Sequence, residues 1–359
     1  MPDKPEYKLI LNRTIEALLP LLAVPAALMI GAGMILALGA NPLQAFGVLV
    51  QGAFGNISGF TQTLVKATPL LLVGLGICIA FRGGVINIGG EGQLIVGALA
   101  ATAFSIGFDG WPRLILLPLT LLVAILSGAI WGGIPGILKA RLGVNEILTT
   151  VMMNAIAIQL ANFLLRGPMI DPAEIEMGTQ IAQSALLPQS VWLTRLVPRT
   201  LLNSGAIIAL IMAVIVYIFL WRTTIGYRIR AVGLNPDAAR YAGIPVRFYQ
   251  AISLVLGGAF AGLAGAVEVL GVHYRMLEGL SGGYGFTGIV AALFGKLHPL
   301  GAVPASVLFG GLIVGADRMQ RAIQVPSALI TALLGLVVLF VVSSEIWARR
   351  RARRRETRG

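Results

Sequence analysis

Cysteine, histidine and acidic side chains are scarce in this chain, and each shortage excludes a class of chemistry. A single cysteine, Cys78, rules out an internal disulfide, and its place inside an apolar run makes it a buried small hydrophobe. Only two histidines occur, His273 and His298, and neither has a metal-ligating neighbour at usable spacing. No Ser/His/Asp or Cys/His set can be drawn, and Glu91, Glu268 and His273 are too scattered in sequence to nominate a catalytic constellation. Gly295-Lys296 is followed by Leu297, so no Walker A phosphate loop is formed. A Gly283-x-Gly285-x-x-Gly288 match spells the dinucleotide fingerprint, but no predicted strand precedes it. In a chain with 45 glycines it reads as a chance match. No catalytic residue, metal or bound cofactor is therefore expected.

What the chain has in abundance is apolar length. Hydrophobic residues make up 57% of the 359, charged residues 12%, and the mean hydropathy is +0.87. Such a composition belongs in a bilayer. Ten hydrophobic segments can be drawn, at 15–40, 60–81, 85–108, 114–138, 146–165, 203–221, 249–272, 283–297, 300–317 and 325–346. The expected fold is an all-α polytopic membrane protein of about ten transmembrane segments, with broken or re-entrant helices. The segment at 283–297 is short and glycine-rich, which suits a half-helix. The first run is too long for a signal h-region and lacks a clear cleavage site, so it reads as an uncleaved span. No linker or composition shift marks a second domain. The whole of 1–359 reads as one transmembrane domain, with a membrane region at 14–346.

Basic residues set the orientation. With both termini cytoplasmic, 19 of the 27 Lys and Arg residues fall inside, seven of them in the tail 347–359. Seven fall outside, and Lys66 is left within a span. Directly after a span, the arginine tail suits anionic lipid or topology rather than nucleic acid. The outside loop 166–202 carries Asp171, Glu174, Glu176 and several prolines, as an exposed cap or docking surface would. Small-residue spacings at Gly128, Gly132 and Gly136, and at Gly258 and Gly262, predict close helix packing.

Two stretches carry the function. Between Gly83 and Ala101 lie Asn87, Gly90, Glu91 and Gln93 among five glycines at the head of the stretch. A loosened backbone and a carboxylate at membrane depth survive only against protein or a water-filled cavity, which marks a pathway. The alternative places Glu91 at the membrane–water interface as an ordinary helix start. The inside loop 222–248 holds the second stretch. There Asn235 can cap a helix opening on Pro236, Asp237 favours its first turn, and Gly243 ends it after about two turns. Asn154 and Asn162 share a helical face and, with Phe286 and Thr287, offer amides, a hydroxyl and an aromatic face to a small polar cargo. Amides can equally hold helices together.

The run Asn87-Ile88-Gly89-Gly90-Glu91-Gly92-Gln93, the loop from Gly233 to Ile244 and the stretch Gly285–Leu293 closely resemble bacterial ABC-importer permeases. The resemblance is to the simple-sugar and ribose-permease branch. It is nearest to nucleoside-uptake members that work with basic-membrane-protein-type lipoproteins, and it covers about Thr61 to Val342. It implies that Gly233, Asn235, Pro236, Ala238, Ala239 and Gly243 couple to an ATPase. It also implies that Asn87, Glu91 and Gln93 line the translocation pathway with the 283–297 segment, in two inverted halves. Implied partners are a second, different permease subunit, a cytoplasmic ATPase with two nucleotide sites that uses the ATP, and an extracytoplasmic substrate-binding lipoprotein. The implied place is a bacterial cytoplasmic membrane, and the implied cargo a nucleoside, with ribose or another simple sugar as the alternative. An ion-coupled secondary transporter would share the interrupted helices but not the capped inside helix.

Overall fold

The computed structural model of the chain describes residues 29–179 and 181–324, with isolated positions 326, 328, 329, 332, 335 and 336. The basic N-terminal residues, the arginine tail and most of the 325–346 segment lie outside the described residues. The described chain is helical throughout its regular structure. Its elements are α1 (Met29–Ala37), α2 (Pro42–Phe54), α3 (Ile57–Arg82), α4 (Gly90–Gly107), α5 (Arg113–Leu142), α6 (Glu146–Leu165), α7 (Pro172–Met177), α8 (Gly205–Arg222), α9 (Thr224–Leu234), α10 (Pro236–Tyr241), α11 (Val246–Glu268), α12 (Tyr284–Phe294) and α13 (Pro299–Ile323). A π-helical turn, Val269–His273, extends α11.

Among the described residues, six helices are long and apolar enough to cross a membrane: α3, α5, α6, α8, α11 with its π turn, and α13. The bent pair α1 and α2 would make a seventh. These six match the expected segments at 60–81, 114–138, 146–165, 203–221, 249–272 and 300–317. Two other expected segments are not among these spans: α4 has 18 residues but opens on the polar Glu91 and Gln93, and α12 is short. The helix expected over 85–108 begins only at Gly90, and α12 has 11 residues. Three helices, α2, α7 and α9, lie outside the expected segments and the expected capped helix. The stretch after 40 holds α2, opened by Asn41, whose side chain accepts from the Leu43 and Gln44 amides, with Pro42 at the first helical position. It turns through 115° from α1.

The chain divides into two compact units, residues 60–311 and the combined ends 1–59 and 312–359. In the unit of the two ends, Ile35, Ala45, Ala316, Met319 and Leu329 form an apolar core. In the other unit, α11 is a central, mostly buried helix held between α4 and α5. Glycine makes this possible. A Cβ at Gly128 would strike the Gly258 carbonyl, one at Gly262 the Ala124 carbonyl, and one at Gly97 the Gly262 backbone. Backbone therefore meets backbone, as the small-residue spacing predicts.

Candidate functional site

Between α3 and α4 the residues from Val85 to Gly89 leave the helical conformation, and their backbone needs partners that lipid cannot supply. Buried amides supply them. The Asn87 Oδ1 accepts from the Gly89 amide at 2.9 Å and from Gln93 Nε2 at 3.2 Å. The Asn87 Nδ2 donates to Gln93 Oε1 at 3.0 Å. From α6, Asn154 Oδ1 accepts the Gly92 amide at 2.8 Å while its Nδ2 donates to the Ile88 carbonyl at 2.9 Å. Asn87, Gln93 and Asn154 are all buried, so their polar groups go into holding the break open.

Glu91 has a different task. It lies in the first turn of α4, where the positive end of the helix dipole favours a carboxylate. Its two oxygens reach across to the start of α12. Oε1 accepts from the Gly283 amide at 3.1 Å and Oε2 from the Gly285 amide at 2.7 Å. One buried carboxylate thus sits at the N-termini of two helices and fills two otherwise orphaned donors. The glycines are required here. Gly283 has φ +82°, and a Cβ at Gly285 would collide with the Glu91 backbone amide. The apparent dinucleotide fingerprint is therefore a docking surface for Glu91.

The depth of this junction follows from α3. Gly90 and Gly288 both abut the Val73 side chain, nine residues before the end of α3 at Arg82. At 1.5 Å per residue the junction lies about 14 Å along α3 from that end, about half the thickness of a ~30 Å hydrocarbon core. At the end of α3, the Arg82 guanidinium donates to the Leu297 and Lys296 carbonyls at 3.1 and 3.3 Å, so α12 runs from the junction to the level of Arg82.

The remaining expected pathway residues are more open. Phe286 is exposed, and Thr287 and Asn162 are half-buried. Asn162 lines an open cleft of about 500 Å³ with Gln159, Phe163, Arg166 and Gly167.

On the side that the basic residues place inside, the capped helix forms as its sequence predicts. Asn235 Oδ1 accepts from the Asp237 and Ala238 amides at 3.1 and 3.0 Å, Pro236 opens α10, and Gly243 takes φ +76° just beyond it. Leu234 and Tyr241 stand 83% and 96% exposed at its two ends, while Ala239 is buried beneath it. Gly233 has no room for a side chain, because a Cβ would strike the Arg82 carbonyl. The base of this protrusion is thereby pressed onto the end of α3.

The opposite loop is ordered by polar contacts. Asp171 caps α7, and Glu174 is hydrogen-bonded by the Thr179 hydroxyl and by Gln183 Nε2. Those two donors, the hydroxyl foremost, hold the Glu174 carboxyl below the ordinary carboxylate range against the opposing effect of desolvation. Farther along, the loop is knitted to the segment that leads into α12. Leu193 donates to the Leu270 carbonyl, Leu187 to Tyr274 and Ser184 to Met276, each at 2.8–2.9 Å.

A family profile described as the permease component of branched-chain amino acid transport systems matches residues 59–342. The chain belongs to this permease family. The permease is 41% identical over 334 residues to the guanosine ABC transporter permease protein NupP of Bacillus subtilis (strain 168), covering 93% of this chain and 95% of that one. It is 36% identical over 358 residues to a glucose ABC transporter permease protein of Haloferax volcanii, covering 96% and 93%. To the nucleoside ABC transporter permease protein NupB of Lactococcus lactis subsp. cremoris it is 34% identical over 336 residues, covering 92% of each. It is thus the multi-pass membrane component of an ABC transporter, and ATP hydrolysis belongs to another subunit.

Proposed function

We propose that this permease imports nucleosides, with a lipoprotein delivering the cargo outside and an ATPase of two nucleotide sites working on the cytoplasmic face. The similarity to NupP over nearly the full length of both chains supports the cargo. The alternative, ribose or another simple sugar, draws support from the glucose permease relative. The geometry that best supports a pathway is the Glu91 carboxylate bonded to the Gly283 and Gly285 amides at mid-membrane depth. Two broken helices starting head to head at the bilayer centre are the arrangement found around transported solutes, in inverted halves.

On this reading Asn87, Gly90, Glu91, Gln93 and Asn154 shape the wall of the pathway, and Asn162, Phe286 and Thr287 contact the cargo. Asn235, Pro236, Ala238, Ala239 and Gly243, seated by Gly233, form the knob that enters the ATPase. A second, different permease completes the pathway. Ten segments with both termini cytoplasmic remain the proposed topology, in a bacterial cytoplasmic membrane. The complex reconstituted in vesicles should accumulate labelled guanosine, and an excess of unlabelled nucleoside should compete while ribose and glucose do not. Competition by ribose or glucose at the same concentration would transfer the assignment to a sugar.

A further inference from the structure

A second group of ionisable side chains lies beside the junction, and the mechanism above leaves it unused. Glu268 ends α11 and is 1% exposed. The π turn that follows is wound with i→i+5 spacing, so residues five apart approach one face. His273 Nε2 accordingly lies 3.4 Å from Glu268 Oε1. The same oxygen accepts from the Tyr284 hydroxyl at 3.4 Å. The Tyr284 hydroxyl in turn accepts from Lys66 Nζ, on α3, at 2.6 Å. Glu268 Oε2 is buried without a hydrogen-bond partner among the described residues.

Tyr284 is the first residue of α12 and stands between the two glycines whose amides Glu91 holds. Its ring is buried, and the Lys66 ammonium also lies 5.3 Å from the ring centroid. The start of α12 is therefore fixed twice, by Glu91 through the backbone and by the Tyr284 side chain through two opposite charges. A lysine and a carboxylate inside an apolar bundle are costly unless they compensate one another. No direct Lys66–Glu268 contact occurs, and the phenol spans the gap because it accepts from one and donates to the other.

We propose that Tyr284 is a positioning residue of the transport cycle, a hydroxyl bridge that couples Lys66 to Glu268 and so sets the start of α12. The inference rests on the reading of that junction as part of the pathway. The titratable groups around the bridge are Lys66 from α3, Glu268 from α11 and His273 from the π turn, with Glu91 from α4 on the flanking glycine amides.

The test is a cycle of K66M, E268Q and K66M/E268Q, each with Tyr284 and with Y284F, in the complete complex. K66Q is run in parallel as the second neutral substitution at position 66. Melting temperature and uptake kinetics are read for every variant. With Tyr284 present, each single neutralisation should strip about tenfold or more from uptake, and the double should recover most of it, because no buried charge is left unmatched. Y284F should lower kcat by about tenfold with KM nearly unchanged, and should erase the coupling in both readouts. Additive effects of K66M and E268Q, or coupling that survives in Y284F, would overturn the bridge. A Y284F change confined to KM would make Tyr284 a cargo contact instead, which also overturns it. If the melting temperatures couple as expected while uptake ignores every variant, the bridge is only a packing device, and the transport role of Tyr284 fails together with the pathway reading of the junction. Loss of coupling with uptake still impaired overturns the bridge alone.

Discussion

At the residue scale the decisive group is Glu91. An ionisable side chain among glycines and amides, between two apolar runs, marks itself in the sequence as a group that must be compensated. Its compensation does not, because Gly283 and Gly285 lie 192 and 194 residues away and donate through backbone atoms that carry no residue signature. The glycine pattern around them resembles a nucleotide motif for the plain reason that both uses need a backbone without Cβ. The structure also grades substitutions at position 91. Alanine leaves two buried amides without an acceptor, whereas glutamine keeps one oxygen and turns an NH₂ toward the other. Glu91→Ala is expected to cost about 3 kcal/mol and Glu91→Gln about half of that. Thermal unfolding of the purified permease would read the difference, and equal losses would mean that the two hydrogen bonds do not form in the membrane.

At the element scale, legibility followed the turn chemistry. Asn235, Pro236 and Gly243 are start and stop signals with local mechanisms, and α10 forms between them as expected. The equally explicit Asn41-Pro42 start of α2 lies between two long apolar runs, outside the expected segments. The π turn at Val269–His273 has no composition signal, and its Gly271 carbonyl accepts from Asn203 Nδ2, 68 residues away in the chain, at 3.1 Å. That hidden turn is what joins Glu268 to His273. For α10, Asn235→Ala removes a cap worth about 1 kcal/mol, and Gly243→Val forces a β-branched residue to φ +76°. Both should leave the membrane helices folded. Co-purification of the ATPase and cargo-stimulated ATP hydrolysis should fall, more for the double change than for either alone. Unchanged co-purification would move the docking surface away from α10.

At the scale of the whole molecule, the sequence carried the class and the six long spans, because apolar length and small-residue spacing are repeated signals that add up. It carried less of the half-helices, whose ends are decided by partners distant in the chain. Topology can be checked with few changes, because the one native cysteine, Cys78, is buried. Glu176 and Asp237 are both exposed, the first on α7 and the second on α10. In intact cells a membrane-impermeant maleimide should label Glu176→Cys and spare Asp237→Cys, and inside-out vesicles should reverse the pattern. Labelling of both from one side would reject the orientation derived from the basic residues.

The glycine seams among α4, α5 and α11 have a mechanical consequence. Where main chain touches main chain there are no side-chain rotamers to absorb a displacement, so sliding one helix along another means driving carbonyls through Cα atoms. Those three helices are therefore stiff against one another and move as a single block. Compliance is left to contacts made of a few hydrogen bonds, which can break and re-form singly. In unit 60–311 the single hydrogen bonds from Ser184, Leu187 and Leu193 to Met276, Tyr274 and Leu270 are such contacts, and the loop they hold can yield while the three-helix block stays whole.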